Sequence, residues 1–176
     1  MWPFGRQAKQ LQSKAAFIAP LLIDVCRETS PTLLRSLLGA ESSTKNPTLL
    51  QPILIEELAF LLHLTDRLIF AHCGVNQRAL FMEALLPETK RLLESPFDAS
   101  LADLYNTRQQ FYANFYLPDS SENLKDALFW EFGKALAAVY ADSNPVAVLL
   151  TAKFGAELLS LVDNLLQETE VVQGKR

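Results

Sequence analysis

Apolar residues recur three and four positions apart along almost the whole chain, and no segment sustains the alternation of a strand. That spacing predicts an all-α protein. A first helix is expected over about residues 6–28, with Pro20 bending it or splitting it. Ser30 and Pro31 have the cap and first-turn chemistry of a short second helix through Leu38, closed by Gly39. After the polar stretch ESSTKN, residues 41–46, the pair Asn46-Pro47 opens a long helix to Cys73, and Gly74 is expected past its end in the left-handed conformation. Asn76 is the expected cap of the next helix, which runs to about Glu94 and bends at Pro87. Ser100 with Asp103 forms a capping box for a helix to about Tyr116, and Ser121 opens one that reaches Tyr140 or Ala141. Asn144-Pro145 repeats the helix-start pattern, and the last helix is expected to run to about Thr169.

The outcome is a single bundle of roughly six or seven helices, spanning residues 1–176, with 1–5 and 170–176 as loose ends. Helix lengths and anchor residues do not recur at a fixed period, so a solenoid is not expected. The segment 47–73 is apolar around most of its circumference, which predicts a central, largely buried helix. Gly133 with Ala137, and Ala152 with Ala156 beside Gly155, place small residues where two backbones can approach closely. A tightly packed antiparallel hairpin follows from them.

Composition changes this picture mainly by exclusion. Apolar residues make up 49% of the 176 and charged residues 20%, the balance of a chain that folds. The net charge is −4 with the basic residues scattered, so the footprint of a nucleic-acid binder is absent. Cys26 and Cys73 lie in no CxxC and at no zinc-ligand spacing, so neither a metal nor a disulfide framework is expected, and reduced thiols in a cytoplasm fit best. Arg6, Lys9 and Lys14 before AAFIAPLLI, residues 15–23, have the order of a leader peptide, but Asp24 interrupts the apolar run. No uncharged apolar run reaches the ~18 residues of a membrane span, so no transmembrane segment is expected. Trp2 and Phe4 suit a weak membrane-surface contact or a partner.

One stretch concentrates chemistry: HLTDRLIFAHCG, residues 63–74. On a helix, His63 and His72 stand about 180° and roughly 13 Å apart, so they cannot ligate one ion. His72 goes to a helix C-terminus, where the macrodipole favours it, and Cys73 reads as a small apolar residue. Glu56, His63, Asp66 and Arg67 form a polar band on a helix otherwise surrounded by apolar side chains. Such a band either closes as a buried network or lines a pocket in which Arg67 anchors an anion.

The segment 100–116 carries a second candidate surface. Leu101, Leu104, Arg108, Phe111 and Phe115 share one face, and Tyr105, Tyr112 and Tyr116 the adjacent one, which suits a core edge, a partner surface or the mouth of a groove. No Gly-rich phosphate loop, GxSxG, HExxH or kinase signature is present, and no catalytic residue, cofactor or metal is assigned. The first expectation is a non-enzymatic helical interaction or adaptor protein that meets a protein partner or associates with itself as a homodimer. The alternative is a binding domain for an anionic or amphipathic small molecule, with a pocket between the helices 47–73 and 100–116. Glu56, His63, Asp66, Arg67, Tyr105, Arg108, Tyr112 and Tyr116 are its candidate residues. An acid–base enzyme using His63 with Asp66 or Glu56 is the weakest reading.

Overall fold

Helix α2, Leu50–Cys73, is buried around most of its circumference: Ile53, Leu58, Phe60, Leu61, Leu62, Leu64 and Ile69 are all fully covered. A helix of this kind must be enclosed by others, and α2 packs against every other helix described. The computed structural model describes residues 3–38, 47–93, 97–115, 128–139 and 145–172, with the side chains of 3–8, 47 and 97–100 set aside. Among them are six α-helices in an all-α bundle: α1 (Pro3–Leu38), α2, α3 (Val75–Leu92), α4 (Phe97–Tyr112), α5 (Leu128–Val139) and α6 (Pro145–Glu168). Helices α1 and α3 pair on one side of α2, α5 and α6 pair on another, and α4 lies along α2 and touches α3. Trp2 and the side chain of Phe4 lie outside the described residues.

The two helices expected on either side of Ser30 are one helix, and this corrects the sequence reading. Pro20 and Pro31 both sit inside α1, each removing a backbone donor at a cost of about 3 kcal/mol. The buried stripe of Ile18, Leu22, Ile23 and Cys26 resumes after Pro31 with Leu33 and Leu34, each 4% exposed. Burying a leucine side chain contributes about 1.5–3 kcal/mol, so the pair offsets the proline and the helix continues. Ser30 is no cap; it lies fully buried in mid-helix.

Gly74 joins α2 to α3 as a single residue. Its N–H bonds the Phe70 carbonyl at 3.0 Å, and its own carbonyl accepts from the Arg78 N–H at 3.0 Å. The φ of 80° is positive as expected, but the ψ of 178° is extended rather than left-handed helical, in a region nearly restricted to glycine. Asn76 therefore falls inside the first turn of α3 instead of capping it. Further boundaries move: α2 is preceded by a 3-10 turn at Pro47–Leu49, α3 ends at Leu92, and α4 begins at Phe97, which puts position 100 inside the helix rather than at its start. The expected start of α5 at Ser121 and its end at Tyr140 lie outside the described residues.

Helices α5 and α6 form the predicted hairpin. A Cβ on Gly133 would stand 2.6 Å from the Val148 carbonyl oxygen and 3.3 Å from the Ala152 nitrogen, so glycine permits the contact of the two backbones. Above it Phe60 of α2 stacks on Phe132 of α5, with ring centroids 3.9 Å apart and planes within 7°. Helix α6 is long and apolar enough to cross a membrane by length and mean hydropathy, 1.6 over 18 residues, although Lys153 and Glu157 interrupt its apolar run. Ala147, Val148, Ala152, Gly155, Leu158, Val162 and Leu166 are buried in the bundle, which accounts for much of that apolar character.

Candidate functional site

The polar band of α2 separates into three groups, because its members meet different neighbours. Glu56 is nearly inaccessible and takes a two-pronged ion pair from Arg108 of α4, Nε to Oε1 at 2.6 Å and Nη2 to Oε2 at 3.0 Å. The Tyr112 hydroxyl donates to the same Oε1 at 3.2 Å. Burial and the Glu56 charge push the Tyr112 phenol well above its ordinary range, so it stays a donor. Every oxygen of this group is satisfied, and it is a closed network of the kind that buried polar groups require.

About two turns along the helix, His63 is 1% exposed. Its Nδ1 lies 2.6 Å from Oε1 of Gln109, whose amide nitrogen donates to the Tyr105 hydroxyl. A carbonyl oxygen accepts, so Nδ1 carries the proton and Nε2, which has no partner, carries a lone pair. Burial lowers the His63 pKa, opposed by Gln109 and reinforced by the charge of Arg67; the ring is neutral near pH 7. Asp66 is held two-pronged by Arg78 of α3, at 2.6 and 2.8 Å. Tyr105 beside it is pushed up to about 12 by burial and the Asp66 charge.

Arg67 differs from both neighbours. It is partly exposed and forms no hydrogen bond or ion pair among the described residues, and the i,i+4 pairing with His63 that its spacing allows is not made. With His63, Asp66, Arg78 and Gln109 it lines a cleft of about 480 Å³ where α2, α3 and α4 meet, walled by Leu68, Phe70, Ala71 and Ala113. The band is thus closed at Glu56 and open at Arg67.

Of the candidate residues, the structure brings His63, Asp66 and Arg67 to the cleft, while Glu56, Arg108 and Tyr112 are drawn into the closed network. Tyr105 sits behind the cleft, and Tyr116 lies outside the described residues. The tyrosine face of α4 is inward rather than at a rim: Tyr105 is 9% exposed and Tyr112 fully buried, whereas Phe111 is 37% exposed. His72 and Cys73 line a separate cleft with Lys14 and Glu170; burial raises the Cys73 thiol, which makes it a poor nucleophile. No group of three His, Cys, Asp or Glu side chains that could hold a metal ion occurs among the described residues.

Sequence reasoning missed Gln109 and Arg78, the partners of His63 and Asp66. Gln109 follows Tyr105 by one helical turn, but nothing in a single sequence aligns α4 against α2. It also missed a further polar group outside the band, Glu57 of α2 with Thr29 and Ser30 of α1. The signal there was an acid on the stripe that Leu61, Leu64 and Leu68 otherwise form. No protein-family model, curated protein or solved structure matches the chain.

Proposed function

We propose that the chain is a binding domain for a small organic anion, held in the cleft between α2, α3 and α4. The observation that carries this is Arg67: a partly buried guanidinium with no acceptor among the described residues, on the wall of a concave site with apolar sides. A guanidinium in that position gains most from a carboxylate or phosphate, which it meets in a fixed two-pronged geometry. Arg78 gives Nε and Nη2 to Asp66, so these two charges offset one another and the guanidinium of Arg67 is the uncompensated charge on the cleft wall. Leu68, Phe70, Ala71 and Ala113 suit an apolar body on the anion.

The test is a thermal-shift and calorimetric titration with 3-phenylpropanoate and with inorganic phosphate. One or both raise the melting temperature of the wild type, and Arg67→Ala abolishes the shift while leaving the unliganded melting temperature nearly unchanged. Absence of any shift, or a shift that survives Arg67→Ala, would sink the reading. A second reading, a helical interaction protein, rests on Leu149, Leu150 and Leu161 of α6, which are 40%, 45% and 38% exposed. Light scattering that finds only monomer at high concentration counts against its self-associating form.

A further inference from the structure

Glu57 is fully buried, faces α1, and meets no cation among the described residues. Its Oε2 accepts from the Ser30 hydroxyl at 2.6 Å and its Oε1 is in hydrogen-bond contact with the Thr29 hydroxyl. Thr29 is also 2.6 Å from the Val25 carbonyl oxygen. A hydroxyl owns one hydrogen, and here it faces two acceptors. The contacts are satisfied together when Glu57 is a neutral acid: Oε1–H donates to Thr29, Thr29 donates to the Val25 carbonyl, and Ser30 donates to Oε2.

We propose that Glu57, Thr29 and Ser30 form a proton-operated latch between α1 and α2, closed while the carboxyl carries its proton and loosened once that proton is lost to solvent. Ionisation turns Thr29 away from Val25 and leaves a carboxylate in the core with two neutral hydroxyls for company. The titratable groups around it offer no relief. On α1 the Cys26 thiol is fully buried, and burial and the Glu57 charge raise it, so it stays neutral. Among the described residues of α3, α4, α5 and α6, no charged group acts on Glu57. Relief therefore comes from water, which reaches the carboxylate when α1 parts from α2.

Where it parts follows from Pro31. Both prolines of α1 remove a backbone donor, but the turns around Pro20 are held by buried Ile18, Ala19, Leu22 and Ile23, whereas those from Arg27 to Leu38 are held mainly by Leu33 and Leu34. Burial pushes the Glu57 carboxyl up to about 7, against the pull of Ser30 and Thr29. The opened segment restores an ordinary carboxyl. The folded pKa is the higher one, so the closed state is favoured at low pH and loses ground as pH rises from the open-state value through about 7.

Amide hydrogen exchange followed by mass spectrometry reads the latch directly. Protection factors over residues 27–38 are expected to fall about thirtyfold between about pH 5.5 and 8 in the wild type. In Glu57→Gln, whose amide donates to Thr29 and whose carbonyl accepts from Ser30, they are expected to stay level. Residues 150–162 of α6 serve as the control and should show no such fall in either protein. A level wild type, the same fall in Glu57→Gln, or an equal fall in α6 overturns the proposal. Should Glu57→Gln not fold, infrared spectroscopy of the wild type decides: a protonated-carboxyl band that titrates with a midpoint near 7 supports the latch, and the absence of that band above about pH 5.5 overturns it.

Discussion

Glu56 and Glu57 are neighbours on one buried helix, and they meet burial in opposite ways. Glu56 faces α4 and receives a guanidinium; Glu57 faces α1 and receives only hydroxyls. The difference makes Glu56 a test of what its ion pair is for. Removing Arg108 leaves the Glu56 carboxylate in the core with the Tyr112 hydroxyl alone, and stranding a buried charge is far costlier than losing a surface pair. Arg108→Met is expected to lower unfolding stability by about 3 kcal/mol. The double variant Glu56→Leu, Arg108→Met should recover most of that loss, because it removes the stranded charge together with its partner. Urea denaturation measures both. A single-variant loss below about 1 kcal/mol would class the pair with exposed ones and contradict the burial of Glu56.

Between elements, the decisive contact is the crossing of α5 and α6. A methyl group on Gly133 meets the backbone oxygen of Val148 at 2.6 Å, whereas one on Gly155 meets ring carbons of Phe132 and Phe129 at 3.0 and 3.3 Å. A backbone cannot move without its helix, but rings can turn. Gly133→Ala is therefore expected to destabilise by about 2–3 kcal/mol through separation of the helices. Gly155→Ala should lie within about 1 kcal/mol of the wild type, since the gain in helix propensity offsets a small ring shift. Equal losses in thermal unfolding would show that the α5 and α6 backbones do not meet at Gly133. This contact was readable in advance because small residues at helical spacing have few other uses, and so was the central place of α2. The tyrosine face of α4 was not. Hydrophobicity alone places Phe111 inward, but Tyr112 has a carboxylate for its hydroxyl and Phe60 for its ring, at 5.5 Å edge to face. The same holds for the site: Arg67 and His63 were found on their own helix, while Gln109 and Arg78 lie 46 and 12 positions from the residues they hold. Periodicity orders residues within a helix and is silent between helices.

At the scale of the molecule, α2 makes one cooperative body out of two helix pairs. Phe60 reaches from α2 to Tyr112 of α4, Phe129 and Phe132 of α5, and the surface of Gly155 on α6. About 60° further round, α2 carries the Glu57 contact with α1. No layer of the bundle can leave without uncovering α2, so unfolding in urea is expected to be a single transition. Trp130 on α5, made the sole tryptophan by Trp2→Phe, reports the α5–α6 pair by fluorescence, and far-ultraviolet circular dichroism reports all helices together. Their midpoints should coincide, and Gly133→Ala should shift both curves by the same amount. Were the hairpin a separate unit, the fluorescence midpoint alone would move, and the stacking of Phe60 on Phe132 would have to be far weaker than a 3.9 Å ring separation in a closed core implies.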